Sequence, residues 1–294
     1  DSEVYEVREA DGTPLGAVIL DPFTRPTKRG GAWMTSVVDQ SDLTGALPVV
    51  TNTCNFTRPT EGAACLLTWD NVITMFHEFG HALHGLLSEV RYPSRAGTAV
   101  PRDFVEFPSQ VNELWAWDET LISRFAVHHE TGEPLPAKLV ARLRNSRSTG
   151  EGHHTLELVA AMLLDQAWHT TTLEELPTSV DEVESFETAA LERAGVAHEL
   201  VPPRYRSCYF SHIFGGGYAA AYYGYLWAEV LDADACAWFA ENGGLCRSAG
   251  ENFRRELLGR GGSIEPMRAW RNFRRADPDV SHLLRRKGLP VEQR

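Results

Sequence analysis

The chain has 294 residues, and its 28 basic and 40 acidic side chains give a formal net charge of −12. That length suffices for one large domain or two ordinary ones, and 43% hydrophobic residues is an ordinary globular proportion. Nucleic-acid-binding proteins need a positive surface, so the acidic balance argues against a nucleic-acid partner. No stretch approaches the roughly 18 apolar residues of a membrane span, which argues against a membrane segment.

The five cysteines are odd in number, widely scattered and without a CxxC pair. This pattern favours reduced thiols in a cytoplasmic protein over a disulfide framework or a cysteine-zinc site. The sequence as given has no basic start followed by an apolar core, so it predicts no secretory signal. It begins at Asp1 rather than at methionine, which is typical of a trimmed or partial product. We therefore predict a cytoplasmic location.

The first fifty residues have the character of strands and turns. Two runs rich in β-forming residues, VYEV and LGAVIL, flank Asp11-Gly12 and predict a hairpin. The stretch TRPTKRGGAW (24–33) then predicts a loop.

The pattern from Asp70 onward is helical. Apolar spacing predicts helices over 70–89, 104–117, 136–146, 154–170, 180–194, 218–241, 250–258 and 264–275. Thr178 or Ser179 is the predicted N-cap of one helix, and Ser263 of another. No internal repeat or long linker is present. We therefore predict one mainly α domain over 1–294, with a β-rich first part (1–52) that carries a small antiparallel ribbon and a helical body (53–294).

Three histidines occur within eight positions of the apolar run MFHEFGHALHG (75–85). On a helix, His77 and His81 lie about 40° apart and one turn along. His84 falls on the same side, with Glu78 beside it. The opposite arc is apolar and carries Phe76, Phe79, Leu83, Leu86 and Leu87. A helix this apolar is buried, so its ionisable stripe must be paired with other groups or bind a ligand.

The spacing His-Glu-x-x-His has a mechanical meaning. Two imidazoles at i and i+4 converge on one tetrahedral Zn²⁺, and the glutamate between them reaches the water on that metal. The alternative is an amphipathic helix with satisfied core histidines, which would be favoured for a lone histidine. The motif in its apolar, helical setting favours one zinc ion per chain, although cobalt or manganese would also suit such ligands.

Catalytic zinc needs a third protein ligand and an open position for water. The extended zincin motif HExxHxxGxxH is excluded, because position 84 is His and position 87 is Leu. The alternative is a carboxylate from RDFVEFPSQVNELW (102–115), where Glu106, Gln110 and Glu113 can share a helix face.

Pro108 bears on the choice between these two carboxylates. It must begin or kink the helix, which places Glu106 near the first turn. Glu113 would lie about two turns deeper, where it suits holding a zinc histidine from behind. A solvated surface carboxylate is the alternative interpretation of Glu113.

The stretch SHIFGGGYAAAYYGYLWAEV (211–230) places three glycines before a predicted helix. Glycines there allow close backbone approach or a movable loop. Tyr218, Tyr222 and Tyr225 follow at i, i+4 and i+7, so their hydroxyls are predicted to line one stripe. An aromatic core stripe is the alternative. Neutral donors of this kind also stabilise the oxyanion that forms in amide hydrolysis.

Three segments together resemble the thimet oligopeptidase family of zinc metallopeptidases: FHEFGHALHGL, GTAVPRDFVEFPSQVNE and FSHIFGGGYAAAYYGYLWAEVLDADA. The forms DFVEFPSQ, SHIFGGGYAA, ENGGLCRSAG and LLGRGGSIEP are similar to the dipeptidyl carboxypeptidase branch rather than to the endo-oligopeptidases. The resemblance runs from near residue 5 to near residue 290. It implies a multihelical zincin-type fold and a peptidase that releases dipeptides from the free C-terminus of oligopeptides.

The resemblance also implies roles for individual residues. The zinc ligands would be His77, His81 and Glu106. The general base would be Glu78. The groups that stabilise the tetrahedral intermediate would be His212, Tyr218 and Tyr225. The substrate contacts would be made by Tyr222, Gly216 and Gly217.

Members of this family are typically about twice this long, and their helical N-terminal half forms the other wall of a substrate channel. That half is missing from the sequence as given, so two outcomes are open: size selection and substrate docking are lost, or a separate chain supplies the half. The predicted partners are short peptides and such an N-terminal half of the same enzyme. Two alternatives stay open: an endo-acting oligopeptidase, and a catalytically silent half-enzyme or peptide-binding domain with structural zinc. Three ligands without a nearby cysteine favour catalysis, because structural zinc is normally closed by four ligands.

Overall fold

The structure, a computed structural model, describes residues 2–147 and 149–291. The chain divides into two compact units. The first comprises Asp1–Arg144 and Ala228–Leu283, and the second comprises Asn145–Trp227 and Leu284–Arg294. The organisation as one catalytic domain stays a prediction.

The first unit begins with a four-stranded mixed sheet. Its strands are β1 (Glu3–Arg8), β2 (Pro14–Phe23), β3 (Trp33–Val38) and β4 (Val49–Phe56), in the spatial order β1-β2-β4-β3. β1 pairs antiparallel with β2, and Gly12 turns between them at φ +89°, so the predicted hairpin is confirmed. β4 pairs parallel with β2 and antiparallel with β3, which enlarges the predicted ribbon and leaves β3 at one edge.

Helices form most of the remaining regular structure, so the predicted mainly α character is confirmed. In chain order they are α1 (Trp69–Leu86), α2 (Arg102–Ala116), α3 (Glu119–Phe125), α4 (Ala137–Ser146), α5 (Glu151–Thr170), α6 (Val180–Arg193), α7 (Ser211–Phe214), α8 (Gly224–Glu241), α9 (Arg247–Glu256), α10 (Pro266–Arg274) and α11 (Ser281–Arg286). None of the helices formed by the described residues is both long and apolar enough to cross a membrane.

Helix α1 is fixed at its start and along one face. Thr68 caps it reciprocally with Asn71, through side-chain to backbone distances of 3.2 and 3.3 Å. Ala82 and Leu86 pack against the sheet in a core with Val18 and Val50. This packing leaves another face of α1 for its close neighbour α2.

Helix α2 crosses α1 at very short range. A Cβ added at Gly80 would lie only 2.6 Å from Ser109 Cα, so the glycine permits this approach. The helix begins at Arg102, six residues before Pro108, which lies inside it. Glu106 therefore sits just after the first turn, close to the expected placement. The close crossing brings the carboxylates of α2 onto the histidine face of α1.

The two predicted helix caps have different outcomes. Ser179 is the N-cap residue of α6, as predicted, and its side chain makes no capping bond. Ser263 is not the cap of α10, because Glu265 accepts from the N–H groups of Met267 and Arg268. Pro266 at the first helical position suits a start there, since it needs no N–H partner.

The helix predicted over 218–241 is wrong at its beginning. Helix α8 starts at Gly224, and 218–223 forms a series of turns after the short helix α7. Ala220 adopts φ +54°, which no helix allows. The short helices α3, α7 and α11 were not predicted.

Candidate metal centre

Three of the predicted ligands converge in the first unit. Nε2 of His77 lies 3.1 Å from Oε2 of Glu106, and Nε2 of His81 lies 3.2 Å from the same oxygen. All three ligand atoms lie within 4.8 Å of one another. The i, i+4 spacing on α1 supplies the two imidazoles, and the crossing of α2 supplies the carboxylate.

These distances fit a tetrahedral metal ion. Two ligand atoms each about 2.0–2.1 Å from a tetrahedral zinc are themselves about 3.3–3.4 Å apart. The observed separations of 3.1 and 3.2 Å are close to that edge length. Two imidazoles and one carboxylate are also a donor set that zinc accepts. The residues present therefore fit a bound zinc ion.

Glu113 lies on the far side of the His77 ring. Its Oε1 is 2.7 Å from Nδ1 of His77, while Nε2 of the same ring faces Glu106. Burial alone would lower the pKa of His77, but the hydrogen bonds with Glu106 and Glu113 hold it well above its usual value. The raised pKa favours a proton on His77, and binding of a metal ion would have to displace that proton.

Glu106 is almost fully buried between the two histidines. Burial would raise the pKa of its carboxyl, but the hydrogen bonds from His77 and His81 hold that pKa well below its usual value. The carboxylate is therefore ionised, which is the form that binds a metal ion.

Glu78 is 7% exposed and lies next to the histidine pair. The backbone of Met34, on the edge strand β3, hydrogen-bonds to its carboxyl group, and its Oε2 meets no hydrogen-bond partner among the described residues. Burial raises the pKa of Glu78. A carboxylate with a raised pKa and an open oxygen is suited to accepting and returning a proton. The contribution of Met34 had no signal in the sequence.

His84 does not join the group. It is 1% exposed, and burial lowers its pKa to about 3. Its Nδ1 has no hydrogen-bond partner within the described part of the chain. The predicted stripe therefore holds the two histidines of the candidate metal site and one neutral histidine of the interior.

A second group of possible metal ligands lies on the surface, at His128, His129 and Glu130. All three are exposed, and Nδ1 of His128 already accepts from the N–H groups of Glu130 and Thr131 at 3.3 Å. This arrangement is less suited to a metal ion than the buried group.

The predicted residues of the second unit form an aromatic cluster. Tyr218 and Tyr225 stack with ring centroids 5.4 Å apart, and Tyr222 lies 5.0 Å from Tyr225. The His212 ring is within 6.5 Å of all three tyrosine rings. The rings therefore meet even though 218–223 is not helical.

Tyr222 and the glycines have structural duties in this cluster. Tyr222 is 3% exposed and packs in a core with Phe210 and Ile213. This packing agrees with the alternative interpretation of the tyrosines, an aromatic core stripe. A Cβ on Gly216 would lie 2.9 Å from His212 Cα, and Gly217 has φ +82°. Contact of these residues with a substrate stays a prediction.

Asp165 is a residue of this region that the sequence analysis missed. It is fully buried on α5 and accepts hydrogen bonds from the tyrosine segment. A carboxylate inside the apolar run AAMLLDQAW was the available signal.

The chain is similar to known proteins in sequence and in structure. The sequence model of Peptidase family M3 matches residues 1–289. Dipeptidyl carboxypeptidase of Escherichia coli (strain K12) is 44% identical over 291 residues, which are 99% of this chain and 42% of that protein. Oligopeptidase A of the same organism is 38% identical over 294 residues, 98% of this chain and 42% of that protein. The chain spans less than half the length of these relatives.

A solved structure supports the fold. Trypanosoma cruzi metallocarboxypeptidase 1 aligns with a TM-score of 0.55 at 14% identity, over 82% of this chain and 53% of that chain. This likeness confirms the predicted multihelical zincin-type fold. The family match and the relatives confirm the resemblance drawn from the motifs.

Proposed function

Because the chain belongs to peptidase family M3, we propose that it hydrolyses peptide bonds at a metal centre held by His77, His81 and Glu106. The observation that carries this proposal is the meeting of three ligand atoms within 4.8 Å beside the buried Glu78. The HExxH spacing and the family membership point to the same chemistry.

Zinc is the proposed metal, one ion per chain. When bound, it would polarise the peptide carbonyl and lower the pKa of an attacking water. His77 and His81 must be neutral to bind it, and Glu113 would fix the orientation of the His77 ring. Three protein ligands leave one position open, which is the arrangement of catalytic rather than structural zinc.

Glu78 is the proposed general base. Its carboxylate would take a proton from the attacking water and hold it while the oxygen bonds to the carbonyl carbon. It would then give that proton to the leaving amine nitrogen as the carbon–nitrogen bond breaks. The raised pKa supports this cycle, because a weakly acidic carboxyl accepts the proton more readily.

His212, Tyr218 and Tyr225 are the proposed donors to the oxyanion. Hydroxyl and imidazole donors stabilise the negative charge that develops on the carbonyl oxygen. Their rings lie in one cluster, which supports a common role. Tyr222, Gly216 and Gly217 are proposed to lie along the substrate.

Release of dipeptides from a free C-terminus is the proposed specificity. It rests on the higher identity to dipeptidyl carboxypeptidase, 44%, than to oligopeptidase A, 38%. The substrates would be short peptides in the cytoplasm. An N-terminal half of the same enzyme is the proposed partner, since this chain covers only 42% of dipeptidyl carboxypeptidase.

The test is mass spectrometry of an octapeptide incubated with the zinc-loaded chain, beside its C-terminally amidated twin. Stepwise loss of dipeptides from the free peptide alone is the expected result. Internal cuts in both peptides would replace the exo-acting specificity with an endo-acting oligopeptidase. Intact peptides with one zinc per chain would mean a catalytically silent centre, which contradicts the proposal.

A further inference from the structure

The tyrosine segment 218–223 has no regular structure of its own and is held by helix α5. Oδ1 of Asp165 accepts from the N–H of Ala220 at 2.9 Å, and Oδ2 accepts from the N–H of Tyr222 at 2.9 Å. These two bonds join positions 55 and 57 residues apart in the sequence. Both oxygens of one carboxylate are therefore committed to one short segment.

Ala220 is the strained point of this segment. Its φ of +54° lies in the left-handed region, which alanine rarely adopts. Its carbonyl also accepts from Nε2 of Gln166 at 2.9 Å, so consecutive side chains of α5 hold both of its backbone polar groups. A strained residue of this kind persists where its surroundings over-determine it, and such residues cluster at functional sites.

The burial of Asp165 also indicates that its carboxylate has a specific role in holding the segment. The residue is 0% exposed, and an ionised carboxylate is expensive to bury unless it is well bonded. Nδ1 of His169 lies 2.8 Å from Oδ1 and also 2.8 Å from the backbone carbonyl oxygen of Asp165, with which it hydrogen-bonds. Charge-assisted bonds to backbone N–H groups are among the strongest and most directional available.

We propose that Asp165 is a positioning residue for the tyrosine cluster. By fixing the backbone at Ala220 and Tyr222, it sets the Tyr222 ring 5.0 Å from Tyr225 and keeps Tyr225 stacked on Tyr218. The inference rests on the proposed function, in which Tyr218 and Tyr225 stabilise the oxyanion. Preorganised donors are effective because they need no rearrangement as the charge develops.

The first test measures the segment itself, with no need for turnover. In Asp165→Asn, one acceptor oxygen becomes an NH₂ group that faces a backbone N–H, so one of the two anchoring bonds is lost. Hydrogen–deuterium exchange of peptides covering 215–225 should rise about ten- to a hundredfold in the zinc-loaded chain. Peptides from the rest of α5 should exchange as in the parent chain.

Asp234→Asn is the matched control. Asp234 is also a buried carboxylate, 1% exposed. It accepts hydrogen bonds from the backbone N–H of Asp279 and from the side chain of Arg274. Its variant should leave the exchange of 215–225 unchanged. Gln166→Ala is a milder second variant in case Asp165→Asn does not fold, and it should raise the same exchange by a smaller factor.

The second test measures the donors by affinity. A phosphinic peptide carries a tetrahedral anionic centre, so its affinity for the zinc-loaded chain reports on oxyanion stabilisation. Asp165→Asn should weaken the affinity for the phosphinic peptide at least about tenfold. The affinity for the ordinary peptide of the same sequence should change little. In a chain that already carries Tyr218→Phe, Asp165→Asn should weaken the phosphinic affinity much less. The reason is that both substitutions remove the same contribution, the hydrogen bond of Tyr218 to the oxyanion.

Three outcomes would overturn the inference. The exchange of 215–225 could stay unchanged in Asp165→Asn, or it could rise equally in Asp234→Asn. The third outcome is a phosphinic affinity that Tyr218→Phe weakens and Asp165→Asn leaves unaltered. A different result would overturn the proposed function instead. If Tyr218→Phe leaves the phosphinic affinity intact, Tyr218 does not stabilise the oxyanion, whatever the exchange experiment shows of Asp165.

Discussion

Glu113 holds His77 from behind, with 2.7 Å between the Glu113 Oε1 and Nδ1 of His77. The opposite nitrogen of the ring, Nε2, is thereby aimed at Glu106. The two carboxylates of α2 thus act on one imidazole from opposite sides. Glu106 would share the metal with it, and Glu113 would fix its tautomer and orientation.

Glu113→Gln should therefore weaken metal binding without removing a ligand. Loss of such an outer partner typically costs 10- to 100-fold in metal affinity, and we expect a loss in this range for zinc. Competition with a chromophoric chelator measures it. Glu89→Gln is the control, since Glu89 is an exposed carboxylate of the same unit that pairs with Arg254. Equal affinity in both variants would deny Glu113 this role.

Glu78→Gln should separate metal binding from turnover. Glutamine cannot accept the proton, so we expect kcat to fall by about 10²- to 10⁴-fold while the zinc content stays at one per chain. Peptide cleavage and elemental analysis on the same sample measure the two quantities. Activity close to that of the parent chain would mean that another group is the base.

Gly80→Ala should damage the centre through packing alone. The new Cβ would lie 2.6 Å from Ser109 Cα and push α1 and α2 apart. We expect the unfolding free energy to fall by about 1–3 kcal/mol and the zinc affinity to decrease. Gly250→Ala on α9 is the matched control, because nothing lies within 4 Å of its Cβ position. That variant should be slightly stabilising in a denaturant titration. Similar midpoints for both variants would show that the crossing tolerates a side chain.

His84 should make the fold sensitive to acid. Its pKa is about 3 when folded and about 6.5 when unfolded, so the unfolded chain binds the proton first as the pH falls. Stability should decline below about pH 6.5, by roughly 2 kcal/mol at pH 5 from this residue alone. Denaturant titrations of the parent chain and of His84→Gln at pH 7 and 5 measure the difference. An equal decline in both would assign the acid sensitivity to other groups.

The local features of the candidate site were predictable from the sequence. The i, i+4 spacing of His77 and His81 and the glutamate between them depend only on helix geometry, which a sequence pattern encodes directly. The positions of Glu106 and Glu113 on opposite sides of the His77 ring depend on the start of α2 and its angle to α1. The close contact at Gly80 sets that crossing, and no local pattern marks it.

The conformation of the tyrosine segment was not predictable in the same way. The spacing of Tyr218, Tyr222 and Tyr225 is helical, and alanines around them favour a helix. Instead, the Ala220 N–H donates to Asp165, more than fifty residues earlier, and Ala220 is held at a positive φ. The parallel pairing of β2 with β4 is likewise non-local, so the sequence indicated the hairpin but not the full sheet.

The central claim is that α1 and α2 together build a metal site, and anomalous diffraction at the zinc absorption edge tests it most directly. Crystals grown with zinc should show a peak about 2.0–2.2 Å from Nε2 of His77, Nε2 of His81 and a carboxylate oxygen of Glu106. A peak only at the exposed group of His128, His129 and Glu130, or none between α1 and α2, would contradict the account.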